Sequence, residues 1–167
     1  MTADIDPLVK IQRGSYERAA AGVSSSWPKR DALDANGLAS LVRDVRYCVF
    51  ATARPDGRAH AAPVAYTVTQ GTFWIATVEG LRLRNLHASP WASLVAMDGE
   101  GDRHRALTAE GPVRLHEGAD LEAARANLDA LWAERHGSAP SWAAALVELH
   151  PRRVFSYRAA GLSGARG

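Results

Sequence analysis

The stretch GTFWIATVEGLRLRNLHASP, residues 71–90, contains a strand, a glycine and a helix in succession. A strand-like run over residues 72–77 breaks at Glu79-Gly80, and a short helical run follows over residues 81–89. Backbone N–H groups at a helix start have no partner within the helix, and Arg82 lies beside them. Unpaired N–H donors, the positive end of the helix dipole and a cation together favour phosphate binding. The stretch therefore predicts an anion site at Arg82; the alternative is a solvated cation at a helix start.

The composition indicates a globular protein with a single domain. The 167 residues are 47% hydrophobic and 23% charged, and the formal net charge is only +2. No run approaches the roughly 18 apolar residues of a spanning helix, and there is no N-terminal signal pattern, so we expect a cytoplasmic protein. The basic residues are scattered, whereas nucleic-acid binding needs a basic stripe. We therefore expect neither a nucleic-acid nor a membrane partner.

Three regions of the chain differ in pattern and predict its organisation. Residues 1–33 are expected to be an N-terminal arm or linker, with a short helix near residues 7–21, a serine-rich linker and Trp27 as an anchor. Residues 34–160 are expected to form the globular domain. Residues 161–167 are expected to be a flexible tail.

Two amphipathic helices are predicted in the globular domain. Asp34, shortly before Gly37, offers a capped start to a helix over residues 38–46, whose apolar residues recur at i, i+3, i+4 and i+7. A longer amphipathic helix is predicted over residues 118–135. We expect this second helix to cover one face of a barrel.

Six or seven antiparallel strands are predicted from β-rich runs separated by turns. Pro55-Asp56-Gly57 joins the first two in a hairpin, because proline presets φ and glycine tolerates positive φ. Gly111-Pro112 inside a long strand implies a bulge or an edge position. Hairpin-length connections favour an antiparallel barrel or curled sheet. The predicted strands cover residues 47–52, 58–68, 72–77, 91–97, 103–116 and 153–157, and an apolar segment at 142–149 precedes the last of them.

Several short motifs follow one another in a fixed order and spacing. They are Ala51-Thr52, Pro55-Asp56-Gly57-Arg58, His60, Pro63-Val64, Phe73-Trp74-Ile75-Ala76-Thr77, Arg82, Arg84-Asn85-Leu86, Pro90, Ala109-Glu110-Gly111 and Pro151-Arg152-Arg153-Val154. Together they resemble the pyridoxamine 5′-phosphate oxidase-like FMN-binding split-barrel family over about residues 38–158. The resemblance implies a mainly β fold, a six-stranded antiparallel split β-barrel with flanking helices. It also implies a homodimer that holds a flavin in a groove at the subunit interface.

The same resemblance implies which residues bind the cofactor. The strand after the first turn would contact the flavin ring through its backbone, and the end of the next strand would contribute to the same site. The family's Ser-Arg-Lys phosphate clamp falls on the start of the helix at residue 81. The residues concerned are Ala62, Pro63, Val64 and Ala65 for the ring, Ala76 and Thr77 at the strand end, and Gly80, Leu81 and Arg82 for the phosphate.

The clamp departs from the family pattern at each of its three positions. Arg82 keeps the positive charge of the lysine, and its planar guanidinium suits a phosphate. Gly80 lacks the hydroxyl, and Leu81 lacks the cation. The pattern by which pyridoxamine-phosphate oxidases hold their substrate phosphate is not recognisable after Arg153, so vitamin B6 synthesis is not the expected function.

The resemblance favours an FMN-dependent oxidoreductase that moves a hydride or electrons to a small organic acceptor. Coenzyme F420 is an alternative cofactor, because some split-barrel relatives use it and Leu81 weakens the case for FMN. A non-enzymatic protein that binds a flavin for storage or sensing is a second alternative. The sequence predicts no catalytic acid or base.

Other residues that can carry chemistry are expected to be structural. The spacing of His60, His104 and His116 does not indicate a metal site. Cys48 lies in a predicted buried strand and is predicted to be a small core residue. Asn85 is expected to be a structural hydrogen-bonding residue. Two tryptophans, Trp74 and Trp91, are expected in the core or at the dimer interface.

Overall fold

The computed structural model of the protein describes residues 5–159, so the predicted tail at 161–167 lies outside them. The helices are α1 (Asp6–Glu17), α2 (Ala21–Ser26), α3 (Ala35–Asp44), α4 (Leu81–Ala88) and α5 (Gly118–His136). The strands are β1 (Tyr47–Ala53), β2 (Ala59–Thr69), β3 (Thr72–Thr77), β4 (Trp91–Asp98), β5 (Arg105–His116), β6 (Ala145–Leu149) and β7 (Arg153–Arg158). None of the described helices has the length and apolar character needed to span a membrane.

Six of the strands close into an antiparallel barrel in the order β4-β1-β2-β3-β6-β5. Pairing between β4 and β5 completes the ring, and β7 adds to β5 as an extra strand. Closure removes most of the exposed edges that an open sheet would leave. The predicted fold class is confirmed.

The long strand β5 changes its partner at Gly111-Pro112. Residues 105–110 pair with β7, whereas residues 113–116 pair with β6. A Cβ atom on Gly111 would lie 2.1 Å from the carbonyl oxygen of His150, so the close approach of the β6–β7 connection to β5 requires glycine. The register against β4 continues through both residues without an inserted residue. Of the two predicted alternatives, a bulge or an edge position, the bulge is therefore wrong. On the other side of β5, neither Gly111 nor Pro112 belongs to the ladder with β6 or with β7, so the motif lies where one neighbour is exchanged for the other.

The barrel interior is filled by side chains from alternate positions of the strands. Its fully buried members include Phe50, Tyr66, Phe73, Ile75, Leu94, Leu107, Val147 and Leu149. Cys48 belongs to the same cluster, and burial raises the pKa of its thiol to about 12. A thiol with so high a pKa stays protonated and is a poor nucleophile. The predicted core role of Cys48 is confirmed.

The N-terminal segment packs against the barrel through α1 and Trp27. Leu8 of α1 is fully buried in the barrel's own hydrophobic cluster. The Gln12 amide nitrogen donates to the carbonyl oxygen of Leu33 at 2.8 Å. The Trp27 ring lies 5.1 Å from the ring of Tyr157, which confirms the predicted anchor.

The serine-rich stretch after α1, predicted as a linker, contains a short helix that the sequence did not predict. Residues 21–26 form α2, in which the hydroxyls of Ser25 and Ser26 donate to the carbonyl of Gly22 at 2.9 and 3.3 Å. Serine favours loops when its hydroxyl competes with the helix for backbone groups. Here the hydroxyls bond back within the same turn, which is compatible with the helix.

The outer surface of the barrel has one covered face and one exposed face. Helix α5 covers β3 and β6, as predicted, with an apolar cluster of Ala76, Leu121, Ala124, Leu128, Trp132, Ala143 and Leu146. Trp74 is partly buried against this cluster. On β1 and β4, by contrast, Tyr47, Val49, Trp91 and Met97 are 63%, 45%, 48% and 58% exposed. Trp91 is therefore not a core residue of the single chain.

Candidate functional site

The barrel is split between β2 and β3. Their pairing begins at Thr69 and Thr72 and ends at Tyr66 and Ile75. Beyond that point β2 remains paired with β1 as far as Ala59, while the end of β3 pairs with β6. In the described chain, residues 59–65 of β2 thus belong to a ladder on one side only. Their other edge offers backbone N–H and C=O groups to a ligand.

The predicted ring-binding residues flank this split. Ala62, Pro63, Val64 and Ala65 lie along the open edge of β2. Burial alternates along this part of the strand, with Val64 buried, Pro63 exposed and Ala65 partly exposed. Contacts from Val64 would therefore come from its backbone. The side chain of Pro63 is exposed on the outer surface, whereas that of Ala65 packs against the apolar cluster beneath α5. Ala76 and Thr77, at the end of β3, lie across the split.

The start of α4 provides backbone donors near the end of β3. Gly80 precedes the helix with φ 155° and ψ −161°, a conformation that glycine adopts far more readily than other residues. No side chain caps this end, and the first intrahelical bond runs from Arg84 N to Gly80 O at 3.1 Å. The N–H groups of residues 81–83 are therefore unpaired within the helix. A Cβ atom on Gly80 would meet nothing within 4 Å, so the space beside these donors is open.

Arg82 reaches from α4 to the end of β3. Its Nη1 donates to the hydroxyl oxygen of Thr77 at 3.0 Å, whereas its buried Nε has no partner. Across residues 5–159, no carboxylate forms an ion pair with this half-buried guanidinium. Burial lowers the pKa of Arg82, because removing water disfavours the charged form. A half-buried cation with so little compensation fits an anionic ligand that supplies the counter-charge.

Helix α4 is held in place by Asn85. Its amide nitrogen donates to the hydroxyl oxygen of Thr52 on β1 at 2.9 Å, and both residues are buried. This contact fixes the helix start relative to the barrel wall. The expected structural role of Asn85 is confirmed.

Two further polar atoms lie buried without a partner near the β1–β2 turn. They are Nε of Arg54 and Nδ1 of His60. The sequence alone does not single out Arg54, because a cation beside a Pro-Asp-Gly turn is normally solvated. His60 is one of the residues that carry the family resemblance, but the sequence assigns it no role in binding. Within the described part of the chain, no group of His, Cys, Asp and Glu residues is arranged to hold a metal ion.

The sequence of the barrel matches one protein family directly. The family model described as pyridoxamine 5′-phosphate oxidase matches residues 37–162, which include every strand from β1 to β7. The chain belongs to this family. The resemblance inferred from the motifs is confirmed. No curated protein matches the sequence significantly.

Solved structures show that the fold is shared with proteins of several kinds. The conserved hypothetical protein Rv2991 from Mycobacterium tuberculosis is 22% identical, with a TM-score of 0.69 over 84% of this chain and 94% of that one. HutZ, the heme storage protein from Vibrio cholerae, is 18% identical, with a TM-score of 0.63 over 77% and 96%. An FAD-binding protein from Mesorhizobium loti is 16% identical, with a TM-score of 0.59 over 75% and 93%. At these identities the likeness shows the fold alone.

Proposed function

We propose that this member of the pyridoxamine 5′-phosphate oxidase family is an FMN-dependent oxidoreductase that acts on a small organic acceptor. The observation that carries the proposal is the half-buried Arg82, which has no carboxylate partner in the described chain and lies at an uncapped helix start. A phosphate at this position would receive backbone N–H donors and a guanidinium at once. An FAD-binding protein with the same fold supports a flavin as the cofactor.

In this proposal the two ends of a flavin are bound on the two sides of the split. The N–H groups of residues 81–83 and the Arg82 guanidinium would hold the phosphate, with Gly80 leaving space for it. The open edge of β2 at residues 62–65 would bond the polar edge of the ring, with Ala76 and Thr77 on its other side. A bound flavin supplies hydride and electron transfer, and the protein positions it and excludes water. Leu81 contributes its backbone N–H group only.

The proposal includes a homodimer formed through the exposed face of β1 and β4. Val49, Trp91 and Met97 on this face are about half exposed, and large apolar side chains grouped on one surface favour association. The outward side chains of β2 continue the same face toward the split. A partner placed here would complete a cofactor groove at the subunit interface.

Identification of the bound small molecule tests the cofactor. We expect purified protein to be yellow and to release FMN on denaturation, as identified by mass spectrometry. Side-by-side titrations of cofactor-free protein with FMN and with coenzyme F420 separate the two flavin-like candidates. Tight F420 binding without FMN binding would replace FMN in the proposal. Colourless protein that binds neither would contradict both.

A non-enzymatic binding protein is the second candidate function, because a heme storage protein has the same fold. Reduction of the bound cofactor followed by a panel of organic acceptors distinguishes the two. We expect at least one acceptor to reoxidise the cofactor over multiple turnovers. Failure with every acceptor, or recovery of heme in place of a flavin, would favour storage or sensing.

Light scattering tests the homodimer. We expect twice the mass of the chain for the wild type and the mass of one chain for Val49→Glu, because a buried unpaired charge opposes association. Trp142→Glu is the matched control, since Trp142 is 58% exposed but lies outside the β1–β4 face. A wild-type monomer, or an unaltered mass for Val49→Glu, would contradict the proposed interface.

A further inference from the structure

A cavity of about 330 Å³ lies between α5 and the outer face of β3, β6 and the second half of β5. Its volume is within the range of roughly 300–1,000 Å³ that is usual for small-molecule sites. One wall contains the rings of Trp74 and His116, and the opposite wall contains Ala123, Ala124 and Leu128 of α5. None of the residues proposed to bind the cofactor lines this cavity. It is therefore a second candidate site on the molecule.

The wall that contains Trp74 and His116 also contains a carboxylate that contacts one of the two rings. Trp74 and His116 have ring centroids 5.3 Å apart and planes inclined by 31°, so the two rings are in contact in this wall. His116 Nε2 lies 2.9 Å from Oε2 of Glu148, and His150 Nε2 lies 3.3 Å from Oε1 of the same residue. The strand register places Glu148 directly opposite Trp74. Glu148 thus lies beside the two rings, with its side chain only 16% exposed.

The charges that line the cavity do not cancel. Arg114 and Asp120 form an ion pair of 3.2 Å at the mouth, where both side chains are more than half exposed. The carboxylate of Asp120 balances the charge of Arg114, the one arginine among the residues that line the cavity. The carboxylate of Glu148 is therefore not balanced by an arginine of the lining. When the two neighbouring histidines are neutral, the cavity carries one net negative charge. The face of an indole ring also attracts cations.

We propose that this cavity binds a planar organic cation of about the size of one aromatic ring. The ring would stack on Trp74 between the strands and the apolar side of α5, with its charged end toward Glu148. This role adds to the packing of Trp74 against α5. The proposal is independent of the cofactor, because the two sites share no residue.

Three probes of the same shape and different charge test the proposal. Benzamidine, benzamide and benzoate are titrated into the ¹⁵N-labelled full-length protein at pH 8, and the indole N–H signal that Trp74→Phe removes reports binding. We expect benzamidine to bind about tenfold more tightly than benzamide, because a charge-assisted contact adds to the shared ring contact, and benzoate to bind weakest. Equal affinities, tightest binding of benzoate, or no perturbation of the Trp74 signal would overturn the proposal.

Variants separate the charge of the cavity from its volume. Glu148→Gln should abolish the tenfold preference for benzamidine while leaving benzamide binding unchanged. Should that variant fail to fold, Ala123→Phe fills the cavity from an exposed helix position. Ala123→Phe should lose benzamidine binding and keep cofactor binding, whereas Ala130→Phe, exposed on the same helix but outside the cavity, should keep both. Unchanged benzamidine affinity in Ala123→Phe would place the probe elsewhere and refute the site.

Discussion

Two half-buried arginines, Arg135 and Arg82, occupy opposite kinds of environment. Arg135 at the end of α5 donates to the carbonyl oxygens of Tyr66 at 2.8 Å and Val42 at 2.7 Å, and its guanidinium carbon lies 5.0 Å from the Tyr66 ring centroid. Arg82 donates to the hydroxyl of Thr77, and its Nε has no partner. Burial lowers the pKa of both guanidinium groups. Burial alone therefore does not distinguish an arginine whose donors are satisfied by the fold from one whose Nε has no partner in the described chain.

The difference follows from which helix end each arginine meets. Arg135 approaches the last turn of α3, where backbone carbonyls lack intrahelical partners and the helix dipole is negative. The carbonyl oxygens at such a helix end accept hydrogen bonds from a cationic side chain, so no ligand is needed. Arg82 lies at the first turn of α4, where the unpaired backbone groups are N–H donors like its own. An arginine in that position gains nothing from the helix end unless an anion binds both.

The largest effect is expected for Arg135→Ala. Removing the side chain leaves the carbonyls of Val42 and Val45 without this donor, whereas the Tyr66 carbonyl keeps its contact with His136. The free energy of unfolding should therefore fall by about 3 kcal/mol. Urea unfolding of the cofactor-free protein measures this change in the free energy of unfolding. Arg84→Ala, an exposed arginine on α4, should change the same quantity by less than about 0.5 kcal/mol. If the free energy of unfolding fell no further in Arg135→Ala than in Arg84→Ala, the proposed structural role of Arg135 would be wrong.

Arg82→Ala should act on cofactor affinity more than on stability. Losing a charge-assisted contact should weaken FMN binding by about 1.5–3 kcal/mol, or roughly ten- to a hundred-fold. Fluorescence titration of the cofactor-free protein gives this value, and Arg84→Ala on the same helix is the matched control. Wild-type affinity in Arg82→Ala would show that the clamp is wrong even though the fold is right.

The smallest effect concerns the pH dependence of the Arg135 region. Burial lowers the pKa of His136 below the ordinary 6.5, and neighbouring Arg135 lowers it further. The unfolded chain then binds the proton more readily, so stability should be complete above about pH 6.5 and fall as the pH decreases below that value. Urea midpoints at pH 8 and pH 5.5 should differ more in the wild type than in His136→Gln. An equal difference in both proteins would assign the pH dependence to other groups.

Much of the local structure follows from patterns that span a few residues. The strand at residues 72–77 and the turn at Pro55-Asp56-Gly57 depend on residue preferences and backbone angles within the segment itself. Asp34 caps α3 by accepting from Gly37 N at 2.8 Å, three residues away, as its position predicted. The helicity of residues 21–26 was missed because it depends on how the serine hydroxyls bond.

The sequence by itself established most of the strands and helices, the family, and the glycine, helix start and arginine that together favour an anion. These features depend on neighbours along the chain, and a single sequence contains all of them. Only the tertiary structure decided where the barrel splits, which of two arginines has its donors satisfied, and that Trp74, His116 and Glu148 surround a cavity. Those outcomes depend on contacts between residues about 30 to 90 positions apart, such as His116 with Glu148 or Arg135 with Val42. Barrel closure brings such residues together, and no local preference specifies which of them will meet.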